Sequence, residues 1–178
     1  QITSVACEFI NDGSRNWPIV QVTTDTGLIG IGEAYPVGPD KAVAETVRYF
    51  EEWLVGFDPF DGERIWHELY AGSRFPTGSV ITAAISGIDQ AIWDVKGKAL
   101  GVPVYQLLGG KVRDRIRVYQ SAHGSSPDAL GSHARYLIET YGYTALKIGP
   151  VAPDFDKKSW GMQLDSAERR MAAVREAV

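Results

Sequence analysis

Hydrophobic and polar positions change their period along this chain, and the changes divide it. Over Ile2–Ile10 the apolar residues Ile2, Val5, Cys7 and Phe9 partly alternate with polar ones, which predicts a strand. The polar run from Asn11 to Asn16 reads as a loop. Val20 and Val22 then alternate with Ile19, Gln21 and Thr23 in a second strand over Ile19–Thr24. Asp25-Thr26-Gly27 makes a tight turn, and Leu28–Ala34 predicts a third strand. Three strands joined by short turns predict an antiparallel meander.

After Gly38-Pro39 the spacing becomes helical. Val43, Val47, Phe50 and Leu54 recur at steps of three and four over Ala42–Leu54, and Ile65, Trp66, Leu69 and Tyr70 repeat the pattern over Phe60–Ala71. Thr77–Leu100 predicts the longest helix. Its Ile85, Ile88, Ala91, Ile92 and Val95 are too many for one narrow stripe, so it is covered on more than one side. Trp53, Trp66 and Trp93 occupy apolar helical positions and read as core. Strands followed by helices predict an α+β domain. From Arg115 the period switches again: Ile116, Val118 and Ser121 mark a strand, Pro127 opens a helix to Tyr141, Tyr143–Ile148 is a strand and Ser166–Val178 a helix. Two strand–helix units in tandem open a βαβ architecture.

Composition narrows the function classes. With 178 residues, 44% hydrophobic and 22% charged, the chain can bury a core, and its net charge of -4 gives no basic footprint for nucleic acid. Cys7, the only cysteine, can neither close an internal disulfide nor build a zinc cluster. No apolar run reaches the roughly 20 residues that span a bilayer, and the expectation is a cytoplasmic protein without a membrane partner. Gln1 starts inside a strand pattern and the last helix meets no Gly or Pro stop, so a piece of a longer polypeptide is expected.

The stretch from Thr82 to Gly110 resembles a segment of the mandelate racemase and muconate lactonizing enzyme family of the enolase superfamily, through Gly87-Ile-Asp-Gln-Ala-Ile-Trp-Asp-Val-Lys-Gly-Lys98 and Leu107-Leu-Gly-Gly110. Val20–Ala34 with its Asp-x-Gly turn, and Tyr143-Thr-Ala-Leu-Lys-Ile-Gly149, are similar to further pieces of it. The resemblance implies a capping domain over residues 1–112, a three-stranded antiparallel meander plus helices. Residues 113–178 would be the first two βα units of a modified TIM barrel. It also implies Mg²⁺-assisted removal of a proton beside a carboxylate, with the metal ligands beyond Val178, a small-molecule sugar acid as substrate and a homo-oligomer.

Candidate residues follow from the same comparison. Lys147 stands at the C-terminal end of a predicted parallel strand, where barrel sites open, and resembles the lysine that supports the substrate carboxylate. The plainer reading is a lysine reaching solvent. The family pattern often carries a second Lys two residues on; here that position is Gly149. Its loss argues against two-base racemisation and for dehydration of a sugar acid by a single base. Racemase, epimerase or cycloisomerase chemistry is the alternative. A non-catalytic capping fragment is the reading from another class, since these residues alone are expected to be inactive. Arg15 and Trp17, in the loop that in similar enzymes closes over the barrel mouth, and Tyr35 after the third strand are candidate substrate-binding residues, against packing roles. Asp89 and Asp94, five apart, lie on different helix faces and read as partners of nearby backbone or Lys/Arg groups. His67, His123 and His133 share no ligand spacing, although His123 follows the first barrel strand. Gly27 to Gly32 has no helix start after it, which excludes a dinucleotide cradle.

Overall fold

The computed structural model describes all residues except Val37, Pro76, Thr77 and Pro153. The expected start of the long helix at Thr77 therefore lies outside the described residues. The chain folds as two compact units, Gln1–Val112 and Arg113–Val178.

In the first unit β1 (Ile2–Asn11), β2 (Asn16–Thr24) and β3 (Ile29–Glu33) form an antiparallel sheet in the order β1-β2-β3. Val5 pairs with Val22 and Cys7 with Val20, while a register shift between Ile2 and Ser4 brings Ile2 and Val5, three apart in sequence, to the same buried face. Beyond Cys7 the alternation no longer marks the core: Phe9 is exposed, at the far end of a two-stranded ribbon. Every second residue of β2 from Pro18 to Thr24 is buried, as its alternation requires.

Three helices follow: α1 (Asp40–Leu54), α2 (Gly62–Gly72) and α3 (Ser79–Leu100), then a short α4 (Val104–Leu107). Val43, Val47, Phe50 and Leu54 of α1 are all buried, as is Ile65 and Leu69 of α2. The expectation that Trp66 is core is overturned. It is 42% exposed and stacks on the exposed Tyr70, 4.9 Å between ring centroids, because α2 needs only its Ile65–Leu69 edge to meet the core. Trp53 and Trp93 are half-buried, so they too border the core rather than fill it. Helix α3 is buried on several sides, through Ala84, Ile88, Ala91, Ile92 and Val95. It ends at Gly101, whose φ of 68° closes a left-handed cap accepted at Gly97 O and Lys98 O.

The contact of α3 with the sheet depends on glycine. A Cβ on Gly30 would run into Ala91 O and one on Gly32 into Gly87 O, while a Cβ on Gly87 would lie 2.7 Å from Val20 Cγ2. Helix and sheet therefore meet backbone to backbone. Gly30 and Gly32 serve this close packing, while Gly27, at φ 82°, serves the turn between β2 and β3.

The second unit comprises β4 (Gln120–Ala122), α5 (Pro127–Tyr141), β5 (Leu146–Ile148), a 3-10 turn at Phe155–Lys157 and α6 (Trp160–Ala177). β4 and β5 pair in parallel, Ser121 opposite Lys147. Both strands are shorter than their patterns predict. Ile116, Val118 and Tyr119 are largely exposed instead of continuing β4, and α6 starts six residues before Ser166. Ser159 caps it, its hydroxyl accepting from Met162 N. α5 begins as expected, with Ser126 as cap and Pro127 in its first turn. Ala122, Leu130, Ala134, Leu137 and Val174 form the small core, with Tyr143, Leu146 and Ile148 packed on it.

Candidate functional site

In the second unit, strand alternation decides where Lys147 stands. Its neighbours Leu146 and Ile148 pack on the core shared with α5 and α6, so Lys147 occupies the strand face turned away from both helices and is exposed there. Gly149 follows two residues on, just past the end of the strand. A Cβ at Gly149 would meet nothing within 4 Å, so packing does not forbid a side chain at that position. Beyond the C-terminal ends of β4 and β5 a cavity of about 550 Å³ is lined by Ala122, His123, Gly124, Ser125, Gly149 and Val151, with Arg170 in its wall. Lys147 is not among its lining residues.

His123 and His133, unrelated by spacing, are brought together: His133 Nδ1 lies 3.0 Å from His123 N and 3.1 Å from His123 O, with ring centroids 6.2 Å apart. The sequence carried no signal for this, because the pairing runs from a strand end to the second turn of a helix. His67 is on α2, in the first unit. Among the described residues no three His, Cys, Asp or Glu side chains converge on a possible cation site, so the residues present do not fit a Mg²⁺ centre.

In the first unit, Arg15 and Trp17 do meet. The Arg15 guanidinium stands 4.0 Å over the Trp17 ring, a cation–π pair. Asp12, which the sequence reading passed over, organises this loop. Its Oδ1 accepts from Ser14 N, Ser14 Oγ and Arg15 N at 2.7–2.9 Å, and its Oδ2 accepts from Trp17 Nε1 at 3.1 Å. These bonds, the Ser14 hydroxyl first, hold the Asp12 carboxyl far below its usual range. The signal that could have found it is the Asx-turn pattern Asp-Gly-Ser, in which a carboxylate accepts from the backbone two and three residues on. Asn11 adds a bond from its side-chain amide to Asn16 across the loop's neck. Tyr35 follows the buried Ala34 and is 66% exposed, apart from any core role.

Asp94 is structural. Its Oδ2 accepts from Ile31 N at 2.8 Å and from Lys98 Nζ at 2.7 Å, fastening α3 to β3. Gln90 does the same one turn earlier, accepting from Glu33 N and donating to Glu33 O. Asp89 is half-buried beside Lys96 and Glu63, and burial raises its pKa. A groove of about 540 Å³ between α1 and the end of α2, lined by Tyr49, Phe50 and Trp53, holds none of the candidate residues.

Residues 8–109 match the family model described as the mandelate racemase/muconate lactonizing enzyme N-terminal domain. The chain is 39% identical over 161 residues to a D-galactonate dehydratase of Verminephrobacter eiseniae, covering 90% of this chain and 42% of that protein. It is 40% identical over 177 residues to a D-xylonate dehydratase of Haloferax volcanii, 96% of this chain and 40% of that protein. Among solved structures, an enolase from Agrobacterium radiobacter with bound Na and L-malate superposes with a TM-score of 0.89 at 36% identity, over 100% of this chain and 45% of that one. An enolase from Pantoea ananatis with bound D-gluconate and Mg gives 0.77 at 34%, over 84% and 37%. The chain thus spans about two fifths of the length of these curated relatives.

Proposed function

Because this chain belongs to the mandelate racemase and muconate lactonizing enzyme family of the enolase superfamily, we propose that the whole protein is a sugar-acid dehydratase. It takes the proton from the carbon beside a carboxylate and expels the β-hydroxyl as water, and the resulting enol relaxes to a keto acid. The observation that carries this reading is Lys147 on the helix-free face of a parallel strand, with Gly149 two residues on, just past the strand's end. An ammonium there stabilises charge that grows on the carboxylate oxygens as the proton leaves. Gly149 supplies no second base, which disfavours racemisation, since inversion needs a proton acceptor on each face of the α-carbon. The names of the relatives, D-galactonate and D-xylonate dehydratases, support the same choice.

The base and the Mg²⁺ that the proposal includes are to be sought outside residues 1–178; bound, the cation would add positive charge at the substrate carboxylate. Arg15, Trp17 and Tyr35 are proposed to select among sugar acids, Arg15 by pairing with hydroxyl or carboxylate oxygens and Trp17 by excluding water. The test is a panel of sugar acids offered to the whole protein with Mg²⁺, with keto-acid formation followed. Lys147→Met is expected to lower kcat/KM by about 100-fold with the melting curve unchanged. Exchange of the α-proton with solvent without loss of water, or wild-type turnover in Lys147→Met, would overturn the proposal.

A further inference from the structure

Arg170 is a buried charge, and among the described residues no carboxylate pairs with it. It sits on α6, 5% exposed, and donates from Nη2 to Gly124 O at 3.0 Å, while its Nε finds no acceptor among the described residues. Burying a guanidinium without a counter-ion is costly, and an apolar side chain of similar volume would pack there at less expense. The bond from Nη2 holds the backbone at Gly124.

That bond falls on a segment already gripped from the other side. Gly124 lies so close to the first turn of α5 that a Cβ would fall well inside contact distance of Leu130 N, which keeps the backbone seated on the helix. One residue earlier, the His123 N–H donates to His133 Nδ1 on α5 in the imidazole tautomer protonated at Nε2. Residues 123–124 are thus fixed by α5 through His133 and by α6 through Arg170. The clamped segment forms part of the wall of the cavity beyond the C-terminal ends of β4 and β5. Short parallel strands such as these cannot hold their trailing loops rigid on their own, and a loop that presents side chains to a ligand loses turnover steeply when it shifts.

We infer that Arg170 is a positioning residue. With His133 it locks the backbone of residues 123–124 and thereby sets His123 and Ser125 on the cavity wall. The activity readout rests on the dehydratase proposal; the clamp itself does not. The experiment compares Arg170→Met, which keeps the volume and removes the donors, with Arg170→Lys, which keeps a charge and a donor, in the whole protein. Arg170→Met is expected to speed hydrogen exchange of the His123 amide by about tenfold or more, with the amides inside α5 and α6 unchanged. It should also lower kcat by about tenfold while KM moves less than threefold, and Arg170→Lys should recover part of both effects. Unchanged exchange at His123, or loosened exchange with wild-type kcat, overturns the inference. If Arg170→Met does not fold, the same two readouts in Arg170→Lys decide, intermediate values upholding the clamp and wild-type values sinking it. If the wild-type protein dehydrates no sugar acid, the functional proposal falls, and His123 exchange alone then decides for or against the clamp.

Discussion

Asp12 places four donors around one exposed carboxylate, and the loop carrying Arg15 and Trp17 takes its shape from them. Asp12→Asn keeps an oxygen for Ser14 and Arg15 but turns a donor toward Trp17 Nε1. The variant is expected to show altered tryptophan emission and a KM for the sugar acid raised about threefold or more, with an unchanged melting temperature. The pH sense follows from its lowered folded pKa. The hold is fully present above the ordinary value of 3.8 and is lost only as pH falls through the lower folded value, so neutral assays see an intact loop. Asp89 runs the other way. Burial raises its folded pKa, so the term favours folding below 3.8 and is lost as pH rises through the raised value, leaving a cost at neutral pH. Asp89→Asn should therefore raise stability at pH 7, by less than about 1 kcal/mol because the group is half exposed, and the gain should vanish below the ordinary carboxyl range. Thermal melts at both pH values check it.

At the level of elements, the interface of α3 with the sheet admits no side chain at Gly30 or Gly32. Gly30→Ala is expected to cost about 3 kcal/mol or more, because the obstacle is the Ala91 carbonyl and not the tip of a flexible side chain. Gly149→Ala, into open space, should stay within about 0.5 kcal/mol of wild type. Urea unfolding of the two variants makes the comparison. The meander, α1 and α2 were legible because each buries one face whose period survives in the sequence, and α3 because its apolar positions, too many for one stripe, keep helical spacing. The outer residues of β4 were not, since Ile116 and Val118 look like strand residues yet have no described neighbour to cover them. Trp66 misled for a related reason: helical spacing locates a stripe, and only packing shows which edge of the stripe meets the core.

Taken whole, the molecule is uneven. The core of the first unit runs from Ile2 through Val95 and joins sheet to three helices, whereas the second unit rests on five small or medium apolar residues and two three-residue strands. A two-stranded sheet is marginal alone. Residues 1–112 expressed alone should give a cooperative thermal transition by circular dichroism, and residues 113–178 alone should give none. A cooperative melt of the second piece would refute this division of stability.

The order of residues determined the element sequence, the meander, the change to parallel strand–helix units and the family, because these depend on local periodicity and on motifs that are contiguous in the chain. It also put Lys147 in a parallel strand, where alternation with the packed Leu146 and Ile148 turns it away from the helices. Only the tertiary structure decided that His133 reaches His123, that Arg170 is buried against Gly124, and that Gly30, Gly32 and Gly87 let a helix touch a sheet. Those are contacts between residues distant in sequence, and no periodicity encodes them: whether a polar group is buried with a partner or left in water is settled by which surfaces meet when the chain closes on itself.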